Sequence, residues 1–572
     1  MKLFDVSLIP FSFPGSYMAV SYLNGGFHGA ENEEGLYLRT IHSDAIHPEV
    51  CRLEMLANGK AIPCTYDEKP DELVMKSECG AISLCFMDEK TLLIKGTGKS
   101  IALSLKFCTD SCYNVAFKVP VGNREQYCFE QFANSCKYYI YAEKGSASLT
   151  HNWDGEHSRD IRFDIQDDEG EFLLSFTEAC VECENRIRYE EYEEAKKKAG
   201  NCFAAFLNTM PEVPGEYMDE RYMAAYIDWE SVVNPCGFLT KKTMLMSKNW
   251  MKSVWSWDHC FNAIALSYHN SEEAWNQFIL MFDRQDASGR IPDSVNDAAV
   301  AWNYCKPPIH GWALGKMLEH MTLTRDQMLE AYRKLSLWTE WWMNFRDSDR
   351  NGLCEYYHGN DSGWDNSTAF IDLPPVESPD LQAFLILQMD MLGKIADAIG
   401  YHSDSLYWKN QSGNLLTRTI SYCFGKDGSP LIRQAYTGKI IENDSLLPYI
   451  AVILGDKLPE KIRNNIVSTL KSEKFMTKWG LATECPVSSY YRSDGYWRGP
   501  IWAPSTMLLA DGLERCGERE FARKIAEKFA EMIKHGGCAE NFDALTGTGL
   551  RDRAYTWTAS VFLVLCHDYL ME

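Results

Sequence analysis

Residues 255–285 read WSWDHCFNAIALSYHNSEEAWNQFILMFDRQ, and this stretch decides the fold. It holds two helical segments, 256–269 and 272–285, joined by a short turn. The first is apolar on most faces, which marks a helix buried among other helices. Outward from there the same period returns at 217–233, 309–322, 325–346, 378–399, 403–424, 441–454, 458–471, 500–516, 518–535 and 555–570. Segment 555–570 is again apolar on most faces. Twelve helices fit six hairpins, and six hairpins can close into an (α/α)6 barrel. The stretches 286–308, 347–377, 472–499 and 536–554 are too long for plain connectors. They are rich in Trp, Tyr, Asp, Glu, Asn and Gly, so loops at one end of the barrel are expected to carry chemistry.

Toward the N-terminus the period changes. LYLRTI, CRLEML, AISLCF, TLLIKG, IALSLKF, NVAFKV and CKYYIYA are short runs rich in β-branched and aromatic residues. Turn signals at Asn24-Gly25, Asn58-Gly59 and Asp168–Gly170 punctuate them. Short strands without intervening helices predict an antiparallel β-sandwich over 1–183. A charged, helix-favouring segment at 184–214 reads as a linker helix, and 215–572 as the all-α (α/α)6 domain.

Composition narrows the function. A net charge of −23 argues against nucleic acid and anionic membrane surfaces, which require clustered Lys and Arg. No run of about 18 apolar residues is present, so no membrane span is expected. The first twenty residues, MKLFDVSLIPFSFPGSYMAV, lack the features of a signal peptide. The 20 Cys are unpatterned apart from a lone Cys180-x-x-Cys183. Both features predict a reducing cytoplasmic setting. A chain this long needs no metal or disulfide to fold. Its 17 Trp serve chiefly as core, and the remainder suit a cleft whose rings pack on sugar C–H faces.

The loops hold the candidate chemistry. In Glu355–Thr368, EYYHGNDSGWDNST, Asp365 follows Trp364, and an apolar ring beside a carboxyl favours its protonated form, as a general acid requires. The same Asp-Asn-Ser-Thr also reads as a turn or N-cap cluster. In 536–550 Glu540 sits in a glycine-rich loop and suits a base for water, or is simply a surface loop acid. Asp258 in WSWDHCF can grip sugar hydroxyls or stabilise a helix N-terminus. Arg498, between Trp497 and Trp502 in YWRGPIWAP, reads as a binding wall or as a buried structural Arg. Asp347, Asp349 and Asn351 hold oxygens at calcium-loop spacing with Gly352 next. Leu353 and Glu355 would extend the shell of a structural Ca2+, or the run is a polar turn.

Together, WSWDHCF (255–261), GRIPDSVND (289–297), PPIHGWAL (307–314), HGNDSGWDNST (358–368), YWRGPIWAP (496–504) and ENFDALTG (540–547) resemble, in order, the elements of glycoside hydrolase family 63. That family includes processing and bacterial α-glucosidases, and trehalases of family 37 share a similar SGWD element. The resemblance implies an (α/α)6 barrel behind a β-sandwich and inverting hydrolysis of an α-glucosidic bond in a small carbohydrate. It implies Asp365 as acid, Glu540 as base and no catalytic cofactor. The substrate-binding set it implies is Trp255, Trp257, Asp258, Phe261, His310, Trp312, Gly363, Trp364, Trp497, Arg498, Trp502 and Trp557. Residues before about 200 carry no motif of that family. Three alternatives remain: a disaccharide phosphorylase, which needs an anion site in place of a base; a trehalase; and a non-catalytic sugar-binding toroid. Oligomeric state has no signal in the sequence.

Overall fold

The computed structural model describes residues 4–24, 33–45, 47–108, 112–121, 124–167, 169–181 and 190–571, which form two units. The first comprises Met1–Leu207 with Trp229–Pro235 and Ser247–Lys252. Among its described residues are two eight-stranded antiparallel sheets. One runs in the order Phe11–Ser12, Met18–Leu23, Gly35–Thr40, Glu49–Ala57, Ile101–Phe107, Ser158–Gln166, Ser146–Trp153, with Lys60–Ala61 added beside Glu49–Ala57. The other runs Val115–Val121, Arg124–Gln131, Cys136–Lys144, Glu171–Ala179, Thr91–Gly98, Gly80–Phe86, Glu72–Ser77, Thr65–Lys69.

Alternation creates the core between the sheets. In Ile101–Phe107 the residues Ile101, Leu103, Leu105 and Phe107 are buried while Lys106 is exposed. Rings from the two sheets meet: Phe107 lies 4.3 Å from Phe129, and Tyr127 lies 5.0 Å from Phe163. Asn58 and Gly59, both at positive φ (51° and 75°), make the tight turn between Glu49–Ala57 and Lys60–Ala61. Of the other turn signals, Gly25 and Asp168 lie outside the described residues, as do Cys183 and residues 184–189 of the segment read as a linker.

The rest of that segment contains helix α1 (Tyr192–Leu207), which is docked on the second sheet. Its Tyr192, Ala195 and Ala199 pack on Cys85, Leu93 and Leu173. Two later pieces of chain also belong to this unit. Val233 forms a bridge with Gly15, and Trp229 packs edge-on against Phe13 at 5.4 Å.

The second unit is helical: α2 (Met218–Glu230, whose last two residues belong to the first unit), α3 (Asp258–Leu266), α4 (Ser271–Ile279), α5 (His310–Met317), α6 (Arg325–Phe345), α7 (Pro379–Ala398), α8 (His402–Tyr422), α9 (Glu460–Lys471), α10 (Ala503–Arg515), α11 (Arg519–Gly536) and α12 (Thr556–Leu570). Neighbours close a ring. Helix α3 touches α5, α5 touches α7, and α7 touches the 3₁₀ segment Leu447–Lys457; that segment touches α10, α10 touches α12, and α12 returns to α3. Ring members are buried nearly all round: every residue of α3 is buried, and so is α12 from Thr556 to Cys566. Helices α4, α6, α8, α9 and α11 each pack against a ring member and keep an exposed face.

The segment read as a helix over 441–454 differs. Its first residues spend their backbone donors elsewhere, Ile441 N–H on the Ile432 carbonyl and Leu446 N–H on the Thr483 carbonyl, both at 2.9 Å. Helical turns begin only at Leu447, and they are 3₁₀ turns. Among the described residues no helix is long and apolar enough to cross a membrane.

Candidate active site

The acid loop is built first by a buried ion pair. Arg346 donates to Asp361 Oδ2 at 2.7 Å, and Asp361 also accepts the backbone N–H of Cys305 (3.1 Å) and of Tyr357 (2.9 Å). With Asp361 fixed, the chain turns at Gly363, whose φ is 75°. A Cβ there would meet the Trp257 ring at 2.5 Å, so only glycine lets that indole cover the turn. Trp364 and Asp365 follow.

A single strap, residues 495–502, joins this loop to the loop of Glu540. On one side Asn366 accepts the Trp497 N–H at 3.0 Å and donates to the Gly495 carbonyl at 3.0 Å. Arg498 Nε donates to the Asn366 carbonyl at 2.6 Å. On the other side Ile501 and Phe542 exchange backbone hydrogen bonds at 2.8 and 3.0 Å, two residues after Glu540. Glu540 itself is tied by its N–H to the Asp552 carbonyl at 2.7 Å.

Tyr496 stands at the Asn366 end of the strap, between Gly495 and Trp497. It stands near enough to both Asp365 and Glu540 to draw each carboxyl's pKa down. Its φ of 63° is a left-handed conformation that a bulky residue adopts only under constraint, a pattern common at functional sites.

The carboxyls are electrostatically distinct. Burial pushes Glu540 up to about 7, helped by the charge of Asp552 and opposed by Arg551. Burial also raises Asp365 above the ordinary range, while Lys306 pulls it down. Lys306 is buried, with its ammonium 3.6 Å from Asp365, 3.3 Å from Asp293 and 2.9 Å from the Asn360 carbonyl. Asp258, first residue of α3 and buried, belongs to the same group of charges, and burial holds it well above the usual carboxylate range.

The aromatic residues form one connected wall. Trp364 stacks on Trp497 at 4.6 Å, and Trp497 stacks on Trp502 at 4.1 Å with planes 5° apart. Trp502 meets Trp557 edge-on at 5.6 Å, and Trp557 meets Trp257 at 5.6 Å. Phe261 continues from Trp257 at 5.9 Å to Trp312 at 5.8 Å. Arg498 does not lie between Trp497 and Trp502, whose rings touch directly; it holds the acid loop instead. Trp255 is half-buried and accepts from His259 Nδ1 at 3.0 Å.

His310 and Trp312 sit deeper. His310 is fully buried against Phe282 at 5.0 Å, and the Trp312 indole donates to Asp511 at 2.7 Å. Tyr496, Lys306 and Asp293 are site residues that the sequence reading passed over, although Tyr496 and Asp293 lie inside quoted elements and Lys306 adjoins one.

A second cluster lies in the calcium-like run. Carboxylate oxygens of Asp347, Asp349 and Glu355 lie within 4.8 Å of one another. Gly352, at φ 84°, makes the turn and donates its N–H to Asp347 at 3.1 Å. Glu377, fully buried, joins through a hydrogen bond from Asn351, and its Oε2 has no hydrogen-bond partner among the described residues. Burial and mutual repulsion raise Asp347, Glu355 and Glu377. Hard oxygen donors at this density suit a calcium ion.

The sequence pattern of the mannosylglycerate hydrolase MGH1-like glycoside hydrolase domain matches residues 251–558. A glucosylglycerate hydrolase of Mycolicibacterium hassiacum is 22% identical over 409 residues, covering 54% of this chain and 91% of that protein. Among solved structures, a family 63 mannosylglycerate hydrolase of Thermus thermophilus in complex with glucose overlays with a TM-score of 0.53 at 18% identity, over 60% of this chain and 99% of that one. A bacterial glucoamylase complexed with acarbose overlays with a TM-score of 0.64 at 13% identity, over 100% of this chain and 94% of that one. The matched span contains the ring elements from α3 to α10, the start of α12, both carboxyls and the strap, and this chain is a glycosidase that belongs to the MGH1-like domain family of glycoside hydrolase family 63.

Proposed function

We propose that this chain is an inverting glycosidase that hydrolyses an α-linked hexoside, with Asp365 as general acid and Glu540 as general base. In this reading Asp365 gives its proton to the glycosidic oxygen as the C1–O bond breaks. Glu540 takes a proton from the water that attacks C1 from the opposite face, and the β-anomer leaves. The observation that carries the proposal is the strap 495–502, which is hydrogen-bonded to Asn366 beside Asp365 and to Phe542 near Glu540 and carries the stacked indoles of Trp497 and Trp502. We take the closed ring of helices to be the inner layer of an (α/α)6 barrel, and the paired sheets to be a β-sandwich.

α-Glucosides are the first substrates to test. Mannosylglycerate and glucosylglycerate stand beside them, since related proteins carry those names. The decisive experiment follows the first-formed sugar by proton NMR in a panel of disaccharides, nitrophenyl glycosides and both glycerates, with and without phosphate. The expected product is the β-anomer of the free hexose. An α-anomer formed first excludes inversion, and a sugar 1-phosphate identifies a phosphorylase. Asp365→Asn and Glu540→Gln should each lower kcat by at least about 10²–10³, the scale of acid–base catalysis. A variant that keeps most of its activity removes that residue from its role.

The cluster of Asp347, Asp349, Asn351, Leu353 and Glu355 is proposed to hold a structural calcium ion, with Glu377 as a further ligand. When bound, the ion would offset half the charge of the Asp347, Asp349, Glu355 and Glu377 carboxylates.

A further inference from the structure

The first unit holds a cluster of soft ligands far in sequence from any catalytic element. Cys136 opens the strand Cys136–Lys144, and Glu178 and Cys180 close its neighbour Glu171–Ala179. Lys137 pairs with Ala179, so the antiparallel register brings Cys136 and Cys180 face to face at the sheet's end. His42 arrives from the loop after Gly35–Thr40. Its Nε2 lies 3.2 Å from Cys180 Sγ and 4.0 Å from Glu178 Oε2. The two thiol sulfurs and one imidazole nitrogen lie within 4.8 Å of one another.

The loop that presents His42 is pinned. Tyr17 stacks on the imidazole at 4.2 Å with planes 2° apart. The Tyr17 carbonyl accepts the Ile41 N–H at 2.7 Å, and Lys252 holds the His42 carbonyl at 2.9 Å. His42, Cys136 and Glu178 are 5%, 2% and 7% exposed, while Cys180 is at the surface.

We propose that His42, Cys136, Cys180 and Glu178 form a structural zinc site. A tetrahedral zinc with bonds of about 2.3 Å to sulfur and about 2.0 Å to nitrogen or oxygen needs neighbouring ligands roughly 3–4 Å apart. The His42–Cys180 and His42–Glu178 separations already meet that need. The Tyr138 hydroxyl donates to Glu178 Oε1 at 3.5 Å and so orients that carboxylate.

The charge balance agrees. Glu178 is buried beside His42. Zinc displaces the two thiol protons to solvent and leaves two thiolates and a carboxylate around a divalent cation. Cys180 at the surface provides the entry path. The bound ion would clamp two strand ends and a loop of the β-unit.

The test uses the full chain, expressed with added zinc and purified without chelators. Elemental analysis should find about one zinc per chain, falling at least about tenfold in C136S and in C180S. A zinc-selective chelator should lower the Tm of the reduced wild type, and added Zn2+ should restore it. C180S should keep its hydrolytic activity, because none of these residues belongs to the catalytic unit. Since Cys180 is at the surface, its replacement by Ser spares the fold. Wild-type protein with essentially no zinc overturns the proposal. So does a zinc content unchanged by both substitutions, or a Cys136–Cys180 disulfide in the non-reduced mass.

Discussion

Glu540 shows what a single buried carboxyl does for this protein. Its folded pKa of about 7 lies above the 4.5 of an ordinary Glu, so the folded state holds the proton between those values. Folding stability therefore falls as pH rises from about 4.5 to about 7, and the full cost is present above 7. At 5% exposure that cost is roughly 3 kcal/mol. Glu540→Gln should thus melt higher than the wild type at pH 8 and equally at pH 4. Equal melting at both pH values would show that Glu540 is not desolvated. In the proposed mechanism the same proton governs activity. A base must be ionised, so kcat/KM of the free enzyme should be lost as pH falls through about 7.

Asp365 and Glu540 are the carboxyls that the sequence itself proposes, because each stands in a loop of unusual composition with an order that a family shares. Tyr496 was not legible. Its role depends on a left-handed backbone and on reaching two carboxyls at once, and neither leaves a compositional mark. Lys306 was hidden for a similar reason: a lone Lys reads as a surface charge until folding buries it among Asp293, Asp365 and Asp258.

Elements bring these residues together. The strap 495–502 makes hydrogen bonds on both flanks, to Asn366 on one side and Phe542 on the other, so the loops of Asp365 and Glu540, the proposed acid and base, share one scaffold. Above that strap the acid loop begins where the oxygen-rich run Asp347–Glu355 ends. Four carboxylates gathered there repel one another, and a bound cation would reverse that penalty. A calcium chelator should therefore lower the Tm, and added Ca2+ should recover it. An unchanged melt in metal-free protein would dismiss the ion.

Among the elements, the helices with long periodic patterns were readable to within a few residues. The 3₁₀ run Leu447–Lys457 was not placed correctly, because tertiary hydrogen bonds at Ile441 and Leu446 postpone its start. In the sheets, Ser146–Trp153 escaped detection because it is a partly exposed edge strand of small and polar residues with little apolar alternation.

For the whole molecule, the division into two units does not follow a single cut in the chain. Trp229–Pro235 and Ser247–Lys252 fall within the sequence of the helical part yet pack with the sheets. Lys248 is fully buried there, donating to Ser12 Oγ at 3.0 Å and to the Phe13 carbonyl at 3.1 Å. Burial pulls its pKa down to about 7. Trp229, 1% exposed, depends on Phe13 and Phe203 for its cover. A protein cut before residue 208 would leave that indole and Val233 in water, at a loss of about 1.5–3 kcal/mol for each large side chain, and would strand Lys248 without its acceptors. Residues 208–572 expressed alone should aggregate or melt far below the full chain, even though every catalytic candidate is retained. A monodisperse fragment with the full chain's kcat/KM would show that the β-unit is dispensable. Failure of the fragment, with recovery on co-expression of residues 1–207, would make the β-unit part of the folding core of the enzyme.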